Sequence, residues 1–191
     1  MSTYLKKFIS QYVNLTDDEF EHISNKFRNK TIGKNSYLFR HGDICKDLVL
    51  VQKGCLRLYY LKNGVEISVW FAFEQSSAIE IYSFINESPS EYSLQAIEDS
   101  EVLYLSKQEL NQLYQKQPKM QEMMRNFWED VILNLISRFT ALQKDSAEKR
   151  YLDLLDKPEY LKKIPQKYLA SFIGITPTSL SRIRKRIARN H

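Results

Sequence analysis

The 191-residue sequence contains no stretch of about eighteen uncharged apolar residues, so no helix in it is built to cross a membrane. Met1 to Ser10 has neither the apolar centre nor the small-residue cleavage site of a secretory signal, and a cytoplasmic protein is expected. Cysteine is nearly absent. Cys45 and Cys55 flank a presumed turn without CxxC or Cys/His spacing, which indicates neither a disulfide framework nor a zinc site and leaves two buried or half-buried thiols. The three histidines, His22, His41 and His191, lie far apart, with no His-x-His or Glu-x-x-His spacing, and no nucleophile–base pair stands out. A small β-barrel enzyme of cupin type is therefore weakly supported, and no metal, cofactor or catalytic residue is expected. His41 reads as a turn residue beside Gly42, and His22 as a surface or core position on the first helix. Acid is missing from one end: after Glu159 there is no Asp or Glu.

What is present is a hydrophobic content of 43%, enough to build a core for one large domain or one medium and one small domain. The net charge of +5 is unevenly distributed. From Asp145 onward eleven Lys and Arg stand against five acids, whereas the rest of the chain is close to neutral. A basic, acid-free terminus is the footprint expected where a protein meets phosphates. On charge alone, a solvated tail is an equal alternative.

Along the chain, Thr16 and Glu19 form a capping box ahead of Phe20, Ile23 and Phe27 at helical spacing, which predicts a short N-terminal helix. From about Thr31 to Leu105 the pattern changes to short β-branched and aromatic runs separated by turn signals at Gly42, Lys53-Gly54, Asn63-Gly64 and Glu98-Asp99-Ser100. That spacing predicts an antiparallel sandwich or barrel. Its clearest hairpin sets Leu56, Leu58 and Tyr60 against Val65, Ile67, Val69 and Phe71 across Asn63-Gly64, with Arg57 and Tyr59 on the opposite face. Ser106 and Glu109 open another helix that ends near Pro118. A longer helix over about Met120 to Gln143 carries two apolar stripes. One is Met120, Met124, Phe127 and Val131; the other is Trp128, Ile132, Leu135, Phe139 and Leu142 in 4-3-4-3 steps. The second stripe is what a paired helix offers its symmetry mate, and a helix enclosed in a single-chain core is the alternative. Asp145-Ser146 breaks this helix and begins another, in which Tyr151, Leu152, Leu154 and Leu155 are the apolar positions. The resulting α+β division is a β-roll, jelly-roll-like sensor over 1–117, a dimerisation helix over 118–144 and a DNA-binding domain over 145–191.

The segment Ile164 to His191 has the punctuation of a helix-turn-helix. Pro165 suits a first helical turn; Leu169, Ala170 and Ile173 make an inner face on which Ala170 permits close helix approach. Gly174 stands where the chain must turn left-handed, and Ile175 plugs the junction. Thr176 caps the next helix with Pro177 at its first position, and Leu180, Ile183 and Ile187 form the buried stripe. Hydroxyls and cations remain outside. Thr178, Ser181, Arg182 and Lys185 are expected to face the major groove, with Arg182 best placed for a bidentate contact to guanine. Thr176, Ser179, Gln166 and Lys167 are expected on the phosphate backbone. An ordinary αα-hairpin with a basic surface is the bland alternative.

These residues closely resemble the Crp/Fnr family of bacterial transcription regulators over nearly the whole chain. The most specific segment is Pro165 to Lys185, through Gln166-Lys167-Tyr168-Leu169-Ala170 and Leu180-Ser181-Arg182-Ile183. Lys53-Gly54-Cys55-Leu56-Arg57-Leu58-Tyr59 and Gly64-Val65-Glu66 resemble the family's glycine-marked β-roll hairpin. The resemblance implies a homodimer that reads a two-fold site on double-stranded DNA, contact with RNA polymerase, and a small-molecule effector in the sensor. By fold analogy the effector pocket falls near Glu80, Tyr82 and Tyr92.

Three departures shape the expectation. Cyclic-nucleotide members hold the phosphate with Gly-Glu and Arg-Ser pairs, where this chain reads Ala78-Ile79-Glu80-Ile81 and Ser90-Glu91-Tyr92, so the arginine is missing and cyclic AMP control is not expected. No cysteine precedes Cys45, which argues against an iron–sulfur oxygen sensor. Of the base-reading residues of the best-studied members, only Arg182 matches, and the sequence ends four residues after Ile187, so no strand is expected beyond the reading helix. The competing reading is a ligand-binding β-roll whose basic tail contacts a protein partner or RNA.

Overall fold

Thr16 and Glu19 behave as their spacing predicts: the Thr16 hydroxyl accepts from the Glu19 amide at 3.3 Å, and the Glu19 carboxylate accepts from the Thr16 amide at 2.8 Å. They open α2 (Asp17–Ser24), whose Phe20 and Ile23 are buried. A helix not foreseen from the sequence precedes it, α1 (Ser2–Ile9), placing Leu5, Phe8 and Ile9 in the core. In this computed structural model, residues 2–189 are described; the predicted DNA-binding segment's last two positions, Asn190 and His191, lie outside them.

The turn-rich region folds into two four-stranded antiparallel sheets. One has the order β1-β8-β3-β6, formed by β1 (Arg28–Ile32), β3 (Asp47–Lys53), β6 (Ser76–Ala78) and β8 (Ser100–Ser106). The other has the order β2-β7-β4-β5, formed by β2 (Tyr37–Phe39), β4 (Cys55–Lys62), β5 (Val65–Phe73) and β7 (Ser93–Ala96). Between β6 and β7 lies the short helix α3 (Ile81–Asn86). Gly54, between β3 and β4, has φ +97°, and a Cβ there would lie 2.8 Å from the Asp99 carbonyl oxygen. No other residue fits that crossing without moving backbone. Asn63 and Gly64, both at positive φ, close the β4–β5 hairpin between the paired residues Lys62 and Val65, as a type I′ turn requires.

That hairpin departs from the predicted alternation. Leu58 pairs with Trp70 and Tyr59 with Ser68, so Val69 is an extra residue in β5. A bulge shifts the side-chain phase by one. Val69 therefore packs on the β-roll core, whereas Phe71, assigned by period to the same face, joins a second core outside the sheet. Arg57 and Tyr59, predicted opposite the core, are buried as well, at 0% and 7% exposure. Tyr168, from the C-terminal helices, lies over Arg57, and Arg57 in turn lies over the Tyr59 ring.

After β8, Ser106 caps α4 (Lys107–Lys116) by accepting the Glu109 amide at 3.2 Å. Pro118 then begins α5 (Pro118–Lys144), the long helix. Its first stripe behaves as expected: Met120, Met124 and Phe127 are buried, and Phe127 stacks against Phe8, Tyr12 and Trp128. Ser146 caps α6 (Ala147–Leu155), which buries Tyr151 and Leu154 but leaves Leu152 and Leu155 exposed. The chain closes with α7 (Pro158–Lys163), α8 (Gln166–Phe172) and α9 (Pro177–Arg189). Pro165 sits just before α8 as its N-cap residue with extended ψ, not inside its first turn.

Candidate functional site

The pair α8–α9 is built around an apolar interior. Leu169, Ala170, Ile173, Leu180 and Ile183 are buried; Ala170 has 0% exposure, so a larger side chain there would separate the helices. Gly174 takes φ +77° at the turn, and Ile175 is half-buried at the junction. The Thr176 hydroxyl accepts from the Ser179 amide at 3.2 Å, fixing where α9 starts; caps of this kind contribute about 1 kcal/mol.

With one side of α9 held by Leu180 and Ile183, its other side is open. Thr176, Thr178, Ser181, Arg182 and Lys185 are exposed, while Ser179 is half-buried beside Thr176. Gln166 and Lys167, at the start of α8, are exposed too. Arg182, Arg184, Lys185 and Arg189 form no ion pair among the described residues, whereas Arg186 is committed to Glu148 on α6. The result is a helix surface of hydroxyls and unneutralised cations, suited to phosphate oxygens and base edges.

This helix pair is seated on the β-roll through contacts that sequence reasoning missed. Arg57 has no exposed surface; its Nη1 bonds Glu66 at 2.9 Å and its Nε donates to Ser68 Oγ at 2.9 Å. The guanidinium lies between two rings, with Tyr59 at 4.3 Å and Tyr168 of α8 at 3.6 Å. These faces attract the cation that burial has stripped of water. Beside it the Ser68 amide donates to Ser171 Oγ of α8 at 3.1 Å, and Phe71 meets Phe172 edge-on at 5.1 Å. From α5, Arg138 donates to the Phe172 carbonyl at 2.8 Å and stacks on its ring; burial lowers its pKa to about 10. Arg150 of α6 donates to the next carbonyl, Ile173, at 2.9 Å. The only sequence hint was an arginine and a tyrosine on a strand face whose neighbours, Phe71 and Phe73, are aromatic.

The predicted dimer stripe divides. Trp128 is half-buried against Phe127, whereas Ile132, Leu135, Phe139 and Leu142 are 53%, 42%, 62% and 41% exposed, and Leu133 and Ile136 beside them are exposed as well. Leaving that much apolar surface in water is unfavourable by about 25 cal/mol per Å².

Of the predicted effector residues, Glu80 and Tyr92 line a cavity of about 250 Å³ with Leu58, Trp70, Val131 and Leu135 among its walls. Tyr82 does not belong to it: its side chain is 70% exposed. Glu80 caps α3, accepting the amides of Tyr82 and Ser83 at 3.0 and 2.9 Å. No Lys or Arg is in the lining. Glu91, which the sequence placed near the phosphate position, is exposed.

The remaining sequence candidates are placed elsewhere. Cys45 and Cys55 are free and buried, and burial raises their thiols to about 11 and about 12, so they stay protonated at neutral pH. His22 is on the surface of α2, and His41 is exposed in the turn beside Gly42, its amide donating to Ser93 Oγ. Among the described residues no group of three or more His, Cys, Asp or Glu is arranged to hold a metal, and no helix is long and apolar enough to cross a membrane.

Residues 29–117 match the cyclic nucleotide-binding domain family. No curated protein matches the sequence. Several solved structures share its fold. FixK2 from Bradyrhizobium japonicum is similar with a TM-score of 0.72 at 12% identity, over 86% of this chain and 85% of that one. A putative transcriptional regulator of the Crp/Fnr family from Eubacterium rectale gives 0.70 at 17%, over 92% and 85%. The c-di-GMP responsive global regulator CLP of Xanthomonas campestris gives 0.69 at 16%, over 92% and 93%. Residues 29–117 are thus similar to the cyclic nucleotide-binding domain, and the chain has the α+β fold seen in these regulators.

Proposed function

We propose that this protein is a sequence-specific DNA-binding transcription regulator of Crp/Fnr type, without enzymatic activity, acting in the cytoplasm. The observation that carries the reading is the outer face of α9, where Arg182, Arg184, Lys185 and Arg189 stand exposed and, among the described residues, without an ion-pair partner, in a segment with no Asp or Glu side chain. On such a helix Thr178, Ser181, Arg182 and Lys185 enter the major groove, and Gln166, Lys167, Thr176 and Ser179 hold the backbone. The working division is a sensor over 1–117, a dimerisation helix over 118–144 and a DNA-binding domain over 145–191. Two chains pair along α5 through Ile132, Leu135, Phe139 and Leu142, Trp128 bracing the stripe from inside, so that two α9 helices meet a two-fold operator. RNA polymerase is the further partner that such a regulator addresses.

Cyclic AMP does not fit as its signal. A cyclic phosphate needs a cation or free amide donors, and the cavity offers the Glu80 carboxylate with no Lys or Arg, the amides of Tyr82 and Ser83 being already taken. Titration of duplex DNA against salt tests the regulator reading. A steep fall in affinity with salt, together with strong preference for one palindromic site, is expected. A shallow curve with no preferred sequence would overturn it in favour of a ligand-binding β-roll whose tail meets another partner.

A further inference from the structure

We infer that the cavity beside Glu80 is a binding site for an uncharged, mainly apolar molecule of about two fused rings carrying one O–H or N–H donor. The inference deepens the regulator reading by naming a ligand class, and rests on it only in treating that ligand as a signal.

The volume of about 250 Å³ accommodates such a molecule, and the walls fit it. Leu58, Val69 and Trp70 come from the hairpin, Ile79 from the approach to α3, Ile81 from its first position, and Val131 from α5, all apolar. The one indole donor in the lining is spent, since Trp70 Nε1 donates to the Ser77 carbonyl at 3.2 Å. The polar groups left are the Ser77 and Tyr92 hydroxyls, each able to donate or accept, and the Glu80 carboxylate, which accepts. Each Glu80 oxygen accepts one α3 amide and keeps a lone pair for a further donor. Tyr92 has its phenol held above the usual range by burial and by the nearby carboxylates of Glu80 and Glu91. An anion entering here would lose its water and meet negative charge without a compensating cation. An uncharged ring system loses little by leaving water and can satisfy Glu80 with a single hydrogen bond.

The same cavity reaches the outer stripe of α5. Val131 and Leu135, one turn apart, both line it, and Leu135 continues into the exposed apolar face. A ligand pressing on Leu135 therefore touches the helix that the regulator reading pairs with its symmetry mate. Occupancy and pairing share a side chain.

A matched pair of probes separates charge from shape: 2-naphthol and 2-naphthoate, with cyclic AMP as a third ligand, titrated calorimetrically into the full chain without DNA. Binding of 2-naphthol at one site per chain is expected, with 2-naphthoate and cyclic AMP weaker by about tenfold or more. Val131→Trp and, independently, Leu135→Trp, both at positions not fully buried, should fill the cavity and abolish 2-naphthol binding, and Glu80→Gln should narrow the gap to 2-naphthoate. The inference is overturned if 2-naphthol fails to bind, if naphthoate or cyclic AMP binds as tightly, or if 2-naphthol binding survives both filling variants. Because no DNA is present, such a failure leaves the DNA-binding reading standing, and a failure to bind DNA leaves this result standing.

Discussion

The β-roll and the last two helices treat charge in opposite ways. In the β-roll the buried ions are answered from within the chain: Arg57 finds Glu66, Ser68, Tyr59 and, from α8, Tyr168, with its Nη2 left as a buried nitrogen without a hydrogen-bond partner, and Glu80 finds the amides of α3. On α9 four cations are left open among the described residues, with Arg186 answered by Glu148. Buried charge must be satisfied where it stands, because removal from water costs several kcal/mol per ion. Exposed charge costs nothing to leave unpaired, so a surface that accumulates one sign is available to an outside partner of the other sign. On the proposed reading a polyanion belongs at one end of the molecule and an uncharged ligand at the other.

The largest expected effect comes from separating the two copies of the open face. Phe139→Glu places a charge in the middle of the exposed α5 stripe, away from the cavity. Monomers by sedimentation are expected, with operator affinity down about 10²–10⁴-fold as the second half-site contact ceases to be intramolecular. A dimer of unchanged mass would show that this face pairs with nothing. Next comes the closed charge. Arg57→Ala removes a fully buried side chain that touches both the β4–β5 hairpin and α8, and about 2–4 kcal/mol of stability should be lost in denaturant titration. The value lies below that for a sealed ion pair because Glu66 is 28% exposed and can be rehydrated. A loss of under about 0.5 kcal/mol, as at an ordinary surface position, would mean that the contacts with Tyr59 and Tyr168 contribute little. Third is the open charge itself: Arg182→Ala should cost about 1–3 kcal/mol at the operator and relax base choice. Equal losses on random DNA would restrict Arg182 to holding phosphate.

The two ends also differed in how far the sequence revealed them. The helix-turn-helix was legible because its signals are local: Gly174, Thr176 and Pro177 impose backbone conformation on their own neighbours, and Leu180 and Ile183 follow the helical period. The same holds for Thr16 with Glu19 and for Asn63-Gly64. What stayed hidden depends on residues far apart in the chain. The bulge at Val69 is a register shift between strands, invisible to an alternation rule, and it sent Phe71 to the face opposite the one its period indicated. Arg57 looked like an outward polar residue because nothing near it in sequence announces that α8 will cover it. Tyr82 was placed in the pocket by analogy, and the capping of α3 by Glu80 leaves that side chain outside. Helix α1 was not foreseen, Met1 to Ser10 having been weighed only against a secretory signal, although Leu5, Phe8 and Ile9 have helical spacing.

The smallest expected effect tests the contrast within α9 itself, between neighbours. Lys185 is exposed and free, whereas the adjacent Arg186 is held by Glu148, which also ties α9 to α6. Lys185→Ala should lower the slope of log affinity against log salt by about 1, the signature of one lost phosphate contact, uniformly across DNA sequences. Arg186→Ala should change that slope less, since its charge is already neutralised inside the chain. An exposed ion pair is worth only about 0–1 kcal/mol, so DNA could draw Arg186 away from Glu148. Equal slopes for the two variants would show that it does, and that internal pairing at the surface does not decide which cations meet the phosphates. Unequal slopes would carry the distinction between closed and open charge down to adjacent residues of one helix.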